Sequence, residues 1–558
     1  MLSIHPQYLP LAKLLDGRLF RIPEYQRAYS WTSQQRKDLF DDIEKVHTKG
    51  IEASHFMAAV VCLRRGRRNL GTDEYDIVEV VDGQQRLTTL IILLKSIALG
   101  LDRDDRAEGK LARELDELLV KVDGGELLLL QTNHDSSHFF ETYLLRGAAP
   151  AAAEGSTIAD RELLLGIEEC KRFVARWLQS GKKLPDLAAL LKNRLSFLLH
   201  EMQDERTVYT VFEVLNSRGL EVAWLDRLKS ILMGTAFELQ NGNVAALIEE
   251  LHGKWRAIYA VMGLRQGLSS EALRYAATLR AKEAPSRSLG EKDSVDLLRG
   301  EATNAKKVRH VAQWLLRVAE ACDVTVSNPR INAVTRIAQA RLLAVAIHLR
   351  DDFSGRERES LLARWERVTF RIYGMMGHDA RTRVGEYSRL AWRVVNEDLS
   401  AREISKAIGE IGEKFTIEDA IKALRNENCY DGWQNELRYL MFRYEEHLAR
   451  AQKLNFSNEQ WARIWLASAA DSIEHIWAQS AAPDAVRHRL GNLVLLPPNL
   501  NSTLQDLAPK DKVTAYRRTG LLIAGEVADR IEAGRWNSRA VEDREEAMLE
   551  WAATEWAD

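Results

Sequence analysis

The stretch EYDIVEVVDGQQRLTTLIILLKSIAL, residues 74–99, is the strongest indication of the fold. Its first part is rich in valine and predicts a strand, and the apolar run after Arg86 predicts a buried helix. Asp82 and Gly83 lie at the turn between them. Backbone N–H groups at a helix N-terminus suit an anionic phosphate, and an arginine adds a bidentate donor. The turn is therefore either a helix cap or a nucleotide-binding turn, but not a P-loop, because GxxxxGK[ST] does not occur.

The residues upstream of this stretch predict a mixed α/β domain. A helix beginning near Ser33 has apolar residues at helical spacing, and MAAVVCL, residues 57–63, predicts a second strand. Between the two strands, RRGRRNLGTD, residues 64–73, has the composition of a hairpin turn. We expect this turn either to be solvated or to touch a phosphate backbone with its four arginines, which are Arg64, Arg65, Arg67 and Arg68.

Length and proline content predict several, mostly helical domains. The chain has 558 residues, whereas a single hydrophobic core stops growing at roughly 250–300 residues. No proline occurs between Pro329 and Pro483, which favours a helical middle. We therefore predict a mostly helical α+β protein of several domains.

Charge, cysteine spacing and hydropathy exclude several classes of protein. A net charge of −3 excludes a uniformly basic nucleic-acid binder. The four cysteines are far apart and form no CxxC pair, so we expect buried thiols rather than a zinc or disulfide framework. The longest apolar run, residues 87–99, is interrupted by Lys95 and is shorter than the ~20 residues of a membrane span. We expect a cytoplasmic protein with no membrane partner.

The C-terminal part contains a second constellation of polar residues. SIEHIW, residues 472–477, and GNLVLLP, residues 491–497, predict two short strands followed by a helix. A histidine that ends the first strand, with asparagines after the turn, is typical of a ββα-metal (His-Me finger) nuclease. A neutral imidazole accepts a proton from water, an asparagine fixes its orientation, and one divalent cation stabilises the leaving alkoxide. The alternative is a core histidine with turn asparagines.

The local charge around this constellation fits a nuclease. Between Arg487 and Arg518 there are six Lys or Arg and two Asp, a local net charge of +4. Such a track suits phosphates, although a solvated surface would also tolerate it.

Two further segments leave alternatives open. IPEYQRAYSW, residues 22–31, contains two tyrosines, a tryptophan and an arginine, which form either a stacking platform for a base or core packing. FEVLNSRG, residues 212–219, either lines the same pocket as the DGQQR turn or connects two helices.

In chain order, IPEYQRAYSW, VVDGQQRLTTL and VFEVLNSRGLEVAWLDRLKS resemble the signature segments of the ParB-like N-terminal domain of GmrSD-type restriction enzymes. SIEHIW and HRLGNLVLLPPNLNSTLQDLAPKDKVTAY are similar to the C-terminal His-Me finger (HNH-type) domain of the same proteins, a plan shared by SspE-like antiphage nucleases. Two positions depart from the family pattern. Ala478 stands where proline is usual, and Ala58 stands where glycine is frequent.

The resemblance implies three domains. Residues 1–235 would form a ParB-like α/β domain that hydrolyses ATP or GTP and senses DNA modification, and 236–410 would form a helical connection. Residues 411–558 would form a helical domain with a ββα-metal nuclease that cuts or nicks DNA with Mg²⁺ or Mn²⁺. The function expected is a nucleotide-regulated, modification-dependent DNA endonuclease of a prokaryotic antiphage restriction system. Its partners would be DNA and a nucleoside triphosphate, with homo-oligomerisation left open.

The resemblance also implies residue roles. The nucleotide site would comprise Asp82, Gly83, Gln84, Gln85, Arg86, Asn216 and Arg218, with Asp82 and Arg86 as its catalytic groups. The residues that sense a DNA modification would be Tyr25, Gln26, Arg27, Tyr29 and Trp31. In the nuclease domain His475 would be the general base, Asn492 its orienting partner, and Glu474 and Asn501 the metal ligands.

Two other functions stay open from the sequence. One is a regulatory NTPase and DNA-binding switch whose nuclease is weak. The other is a ribonuclease acting on host RNA, although no RNA-binding signature such as an RRM motif occurs. The modification that is read, and the choice between ATP and GTP, are not determined by the sequence.

Overall fold

The computed structural model of the chain describes residues 7–23, 28–48, 55–70, 72–122, 126–132, 137–202, 224–238, 244–263, 265, 267–328, 334, 337–425, 427–454, 472–497, 500, 503–504 and 506–558. The chain divides into two compact units. The first unit consists of Met1–Leu273 and Glu291–Ala319, and the second of Arg274–Gly290 and Glu320–Asp558. The boundaries of the three predicted domains stay a prediction.

The first unit contains a six-stranded sheet. Its strands are β1 (Gln7–Pro10), β2 (Arg18–Ile22), β3 (His55–Leu70), β4 (Asp73–Asp82), β7 (Leu130–Thr132) and β8 (Leu195–Met202), and a separate two-stranded ribbon is formed by β5 (Val120–Val122) and β6 (Glu126–Leu128). The order across the large sheet is β1-β8-β3-β4-β2-β7. Strand β4, which leads into the DGQQR turn, is therefore an interior strand, with β3 antiparallel on one side and β2 parallel on the other.

The predicted hairpin is present, and most of the segment expected to form its turn continues the strand. The arginine-rich segment continues β3 and pairs with β4 through a bulge at Gly66, where φ is +153°. Its arginines form ion pairs with acids of β4: Arg64 with Asp76, Arg65 with Glu79, and Arg67 with Glu74 and Asp76. Three of the four basic side chains are thus already paired, which weakens the alternative that they bind phosphates.

Helices surround the sheet of the first unit. They are α1 (Leu11–Leu15), α2 (Ser33–Thr48), α3 (Gln84–Gly100), α4 (Arg106–Leu119), α5 (Ser137–Arg146), α6 (Ile158–Gln179), α7 (Leu184–Arg194), α8 (Trp224–Glu238), α9 (Val244–Met262), α10 (Leu268–Thr278), α11 (Glu291–Glu301) and α12 (Ala305–Ser327), with α10 and α12 ending in the second unit. Helix α3 is buried along nearly its whole length because α4 and α6 pack on it. Even Lys95, which interrupts its apolar run, is buried and bonded through Nζ to Asp116 Oδ1 at 2.8 Å.

Strand β8 was not predicted from the sequence. It directly follows α7 and consists of the segment LSFLLHEM, for which the sequence analysis proposes no strand. The strand lies between β1 and β3, where its apolar residues are covered on both faces, so they run almost continuously instead of alternating. A short apolar run of this kind cannot be distinguished from a buried helix by periodicity alone.

The second unit is mostly helical, which confirms the predicted α+β class. Its remaining elements are α13 (Ala338–His348), α14 (Gly355–Thr369), a π-helix (Phe370–Met375), α15 (Val384–Asn396), α16 (Ala401–Gly412), α17 (Ile417–Leu424), α18 (Gln434–Ala451), β9 (Ile473–His475), α19 (Asp484–Arg487), a 3₁₀ turn (Leu490–Asn492), β10 (Leu493–Leu495), α20 (Pro509–Arg518), α21 (Leu522–Ala533) and α22 (Ser538–Glu555). Helices α14 and α16 begin with capping boxes, at Ser354 with Glu357 and at Ser400 with Glu403.

The cysteines and the hydropathy of the helices can be compared with what the sequence led us to expect. All four cysteines are free and buried, in agreement with the buried thiols expected from their spacing. Among the helices described, none is long and apolar enough to cross a bilayer.

Candidate functional site

The predicted pair of short strands is present in the second unit. Strands β9 and β10 pair antiparallel, with His475 opposite Leu493 and Glu474 opposite Val494. All residues of both strands are buried, which explains why two strands of only three residues persist. His475 is the last residue of β9, and helix α20 follows the hairpin in sequence, as the ββα prediction requires.

Both ring nitrogens of His475 have a partner. Its Nε2 lies 3.0 Å from Nδ1 of His488, and its Nδ1 lies 3.1 Å from Nε2 of Gln479. The ring of Tyr430 packs against the imidazole at a centroid distance of 4.6 Å. His475 is only 5% exposed. Burial, followed by the nearby His488 and Lys512, lowers the pKa of His475 to about 3, so the ring is neutral near pH 7 and is a weaker base than a free imidazole.

The predicted role of Asn492 as orienting partner of His475 stays a prediction, and in the structure its side chain bonds to backbone groups. Its amide does not contact the imidazole of His475. Its Oδ1 accepts from the Trp477 backbone N at 2.8 Å, and its Nδ2 donates to the carbonyl oxygens of Trp477 and Arg487. Asn492 therefore fixes the backbone loop that follows His475, because that loop is the nearest set of polar groups that it can satisfy in the core.

Glu474 forms an ion pair with a lysine side chain, that of Lys512. Neighbouring residues of a strand point to opposite faces, and the buried Glu474 carboxylate forms an ion pair with the buried Lys512, whose Nζ also donates to the His475 carbonyl oxygen at 2.8 Å. Burial raises the pKa of Glu474, and Lys512 opposes that shift.

The predicted cation site is therefore not complete in the part of the chain described. No cluster of three or more His, Cys, Asp or Glu suited to a metal occurs there. Of the two predicted ligands, Glu474 already has Lys512 as its counter-ion, and Asn501 lies outside the described residues. The described donor set by itself does not fit a divalent cation.

A sequence-distant helix holds the turn before β10. Arg544 of α22 is completely buried, and its Nη1 donates to the carbonyl oxygens of Gly491 at 3.0 Å and of Leu493 at 2.8 Å. A Cβ at position 491 would lie 1.9 Å from the Val541 carbonyl oxygen of α22. Glycine is required here by this close approach of two backbones.

The basic track expected between Arg487 and Arg518 is largely neutralised. The ion pairs join Arg487 to Asp484, Arg489 to Glu545, Lys512 to Glu474, and Arg517 to Asp529 and Glu532. Lys510 and Arg518 are exposed and form no ion pair within the described ranges. The local net charge of +4 counted only neighbours in sequence, whereas most of these partners come from α21 and α22.

In the first unit, the DGQQR turn connects β4 to α3 as predicted. Gly83 caps α3 with φ at +91°, a conformation that favours glycine. A Cβ there would lie 3.2 Å from Cγ2 of Val60 and 3.3 Å from the Ala59 carbonyl oxygen. Both the positive φ and the neighbouring strand β3 therefore require glycine at this turn.

The turn contacts the segment of residues 22–31. Gln85 Oε1 accepts from the Ser30 backbone N at 2.8 Å, and its Nε2 donates to the Ala28 carbonyl oxygen at 3.0 Å. Arg86 lies over the Trp31 ring, with Cζ 5.5 Å from the ring centroid. The structure thus brings together two motifs that are more than 50 residues apart in sequence.

Arg86 is a partly buried cation, and its guanidinium could still pair with an anionic ligand. Burial lowers the pKa of its guanidinium, and the carboxylates of Asp82 and Asp42 oppose the shift. Within the described residues it forms no ion pair at contact distance. Arg86 also lies on the first turn of α3, where backbone N–H groups are not used by the helix. A phosphate-sized anion could accept hydrogen bonds from these backbone N–H groups and form an ion pair with the Arg86 guanidinium.

The aromatic residues of the 22–31 segment divide into two groups. Tyr29 and Trp31 are 7% and 6% exposed and belong to the core, and the Tyr29 hydroxyl is bonded to Thr89 Oγ1 at 2.7 Å. For these two residues the burial agrees with the core-packing alternative, because their faces are used in packing. Tyr25, Gln26 and Arg27 lie outside the described residues, as do Asn216 and Arg218 of the predicted nucleotide site.

Sequence reasoning missed three residues around the imidazole, namely His488, Gln479 and Tyr430. Gln479 and His488 lie close to the motif in sequence, and the HRLGN segment could have drawn attention to a second histidine. Nothing in the sequence around Tyr430 pointed to a place beside the imidazole of His475. It reaches the site because the Cys429 backbone N donates to the His488 carbonyl oxygen at 2.9 Å.

Two family models match the chain, and each covers one of the two candidate sites. A model described as "GmrSD restriction endonuclease, N-terminal domain" matches residues 11–233, which include the DGQQR turn. A model described as "GmrSD restriction endonucleases, C-terminal domain" matches residues 415–551, which include the β9–β10 hairpin. No curated protein matches the chain. Because the two models describe one family and together span more than half of the chain, this protein belongs to the GmrSD family of restriction endonucleases and is a nuclease.

Proposed function

We propose that this nuclease cleaves DNA with His475 as general base, and that cleavage is regulated by a nucleoside triphosphate bound and hydrolysed at the DGQQR turn. The observation that carries the proposal is the His475 imidazole. It is buried and neutral near pH 7, lies at the end of β9, and is hydrogen-bonded at both ring nitrogens. Such preorganisation is expected of a base that must meet one water molecule in one orientation.

The proposed step at His475 is a proton transfer coupled to hydrolysis. The imidazole takes a proton from water, the water oxygen bonds to phosphorus, and the P–O bond to the sugar breaks, with the departing oxygen gaining a proton. A general base contributes about 10²–10⁴ in rate. The buried Lys512 donates to the His475 carbonyl oxygen and so holds the strand end that presents the ring.

The requirement for Mg²⁺ or Mn²⁺ belongs to the proposal because it is implied by the family resemblance. Such a cation, when bound, would stabilise charge on the leaving oxygen. The test is cleavage after EDTA treatment, followed by titration with Mg²⁺, Mn²⁺ and Ca²⁺. Cleavage that persists in EDTA would remove the cation from the proposal.

The nucleotide proposal is supported by Arg86 and the N-terminus of α3. We expect Asp82→Ala and Arg86→Ala to lose phosphate release from ATP or GTP, because one turn holds both groups. Arg68→Ala is the matched control, since Arg68 is exposed and lies on the hairpin strand. Wild-type turnover in both turn variants would show that the turn only caps a helix.

The most specific part of the proposal is that cleavage depends on the modification of the DNA. We would incubate the wild type with unmodified, glucosylated and phosphorothioated plasmid, each with and without ATP or GTP and with Mg²⁺. The expected result is a nucleotide-dependent difference between the plasmids, abolished by His475→Ala and kept by His378→Ala, whose side chain is exposed. Equal cleavage of all three plasmids would contradict modification dependence. Faster cleavage of RNA than of DNA would show that the substrate is RNA and not DNA.

A further inference from the structure

A second histidine, His488, lies against His475 and has no role in the function proposed above. The distance of 3.0 Å between His475 Nε2 and His488 Nδ1 requires that one of the two nitrogens carries a proton and the other a lone pair. Which nitrogen donates decides which atom of His475 is left to act as a base.

The contact on the other side of the ring favours one of the two tautomers. Gln479 presents its amide nitrogen to Nδ1 of His475 at 3.1 Å. An amide nitrogen only donates, so Nδ1 of His475 has no proton. The single ring proton of neutral His475 is then on Nε2, and it is donated to His488 Nδ1.

The orientation of His488 is itself held by two contacts. Its ring is stacked on Tyr430, with a centroid distance of 5.6 Å and an interplanar angle of 15°. Its carbonyl oxygen accepts from the Cys429 backbone N. Tyr430 also contacts the His475 ring, so one aromatic side chain maintains the nearly perpendicular arrangement of the two imidazoles, which is 79°.

We infer that His488, rather than Asn492, is the positioning residue of the active site, and that it fixes His475 in the Nε2–H tautomer so that Nδ1 is the atom that accepts the proton from water. The inference rests on the proposed role of His475 as general base. Gln479 lies at Nδ1 in the structure and would yield that position to the attacking water. This arrangement follows the general logic in which a hydrogen bond at one ring nitrogen sets the chemistry of the other.

Three substitutions at one position test the inference. His488→Phe keeps the ring that stacks on Tyr430 but removes the acceptor. His488→Asn places a carbonyl oxygen close to the position of Nδ1, and His488→Gln places it one bond further away. On supercoiled plasmid with Mg²⁺, we expect His488→Phe to lower kcat about 10–100-fold with KM within about twofold, His488→Asn to recover most of the loss, and His488→Gln to recover little.

A spectroscopic readout is independent of cleavage. With the histidine rings labelled with ¹⁵N, the wild type and Gln479→Leu should both show His475 protonated at Nε2 only, and the double variant Gln479→Leu, His488→Phe should show a mixture of tautomers. Melting temperatures of all variants establish that they are folded. A wild-type kcat for His488→Phe, a kcat for His488→Asn no higher than that for His488→Phe, or a wild-type His475 protonated at Nδ1 would each overturn the inference.

The same experiment separates this inference from the proposed function. If His475→Ala cleaves plasmid at the wild-type rate, the general base is wrong and the positioning role fails with it. If His475→Ala is inactive while His488→Phe is fully active, only the role of His488 is overturned. His378→Phe is the matched control because its ring is exposed and lies outside the site.

Discussion

At the scale of single residues, the ion pair between Glu474 and Lys512 is central to the candidate nuclease site. Both side chains are almost completely buried, at 4% and 0% exposure. A buried pair is weak evidence for added stability, but removing one partner leaves an uncompensated charge in a low-dielectric interior. Because Lys512 also bonds the His475 carbonyl oxygen, the pair links the stability of the hairpin to the position of the base.

We predict that Lys512→Met lowers the stability of the second unit by about 3–5 kcal/mol, and that the double variant Glu474→Gln, Lys512→Met recovers much of the loss. The measurement is thermal and denaturant unfolding of the full chain. Lys510→Met is the matched control on the same helix, since Lys510 is exposed, and should change stability by about 0.5 kcal/mol or less. Equal stability of the Lys512 and Lys510 variants would contradict a structural ion pair.

At the scale of elements, α22 determines the geometry of the turn before β10. Arg544 satisfies two carbonyl oxygens of that turn, and the turn can approach α22 because position 491 has no side chain. The glycine of the GNL segment is thus a packing requirement. Its functional effect is indirect, since it places β10 beside β9.

We predict that Gly491→Ala destabilises the second unit by about 1–3 kcal/mol or more and abolishes cleavage, because the added methyl group overlaps the Val541 carbonyl oxygen. Gly525→Ala is the control: it lies in α21 and an added Cβ meets no atom within 4 Å, so stability should be kept or slightly raised. Unfolding and cleavage are measured on both. A Gly491→Ala protein that is as stable as the wild type would show that the two backbones can separate without cost.

At the scale of the whole molecule, net charge is a poor guide to function, because most charges of the predicted phosphate tracks are paired within the fold. The same burial makes stability depend on pH. His252 in the first unit and His348 in the second each have a pKa lowered to about 4, by burial first and then by nearby cations. Nε2 of His348 is buried and has no hydrogen-bond partner in the described parts of the chain.

We predict that stability decreases as pH falls from about 6.5 toward 4. In this pH range the two histidines are protonated in the unfolded chain but neutral in the folded protein. The free energy of unfolding therefore rises with pH there. Each group should contribute about 1 kcal/mol between pH 6.5 and 5.5. The measurement is the melting temperature against pH for the wild type and His348→Leu, whose profile should be flatter. Parallel profiles would contradict the assignment to His348.

Local features of this protein could be read from the sequence. The strand, turn and helix of residues 74–99, the hairpin partner of β4 and the position of His475 at the end of β9 were all predicted correctly. Each depends on the periodicity or spacing of residues that are neighbours along the chain, and the resemblance to one family added the link between the two sites.

Tertiary structure decided what each of these residues contacts. It buried Tyr29 and Trp31, turned Asn492 toward backbone, paired most of the basic track with acids, and brought His488 and Tyr430 to the imidazole. None of these outcomes follows from composition, because a side chain's exposure, charge partner and hydrogen-bond partner depend on elements that lie far away in sequence. A sequence specifies which groups are present, whereas their burial and mutual distances, and hence their pKa and chemistry, exist only once those elements are packed.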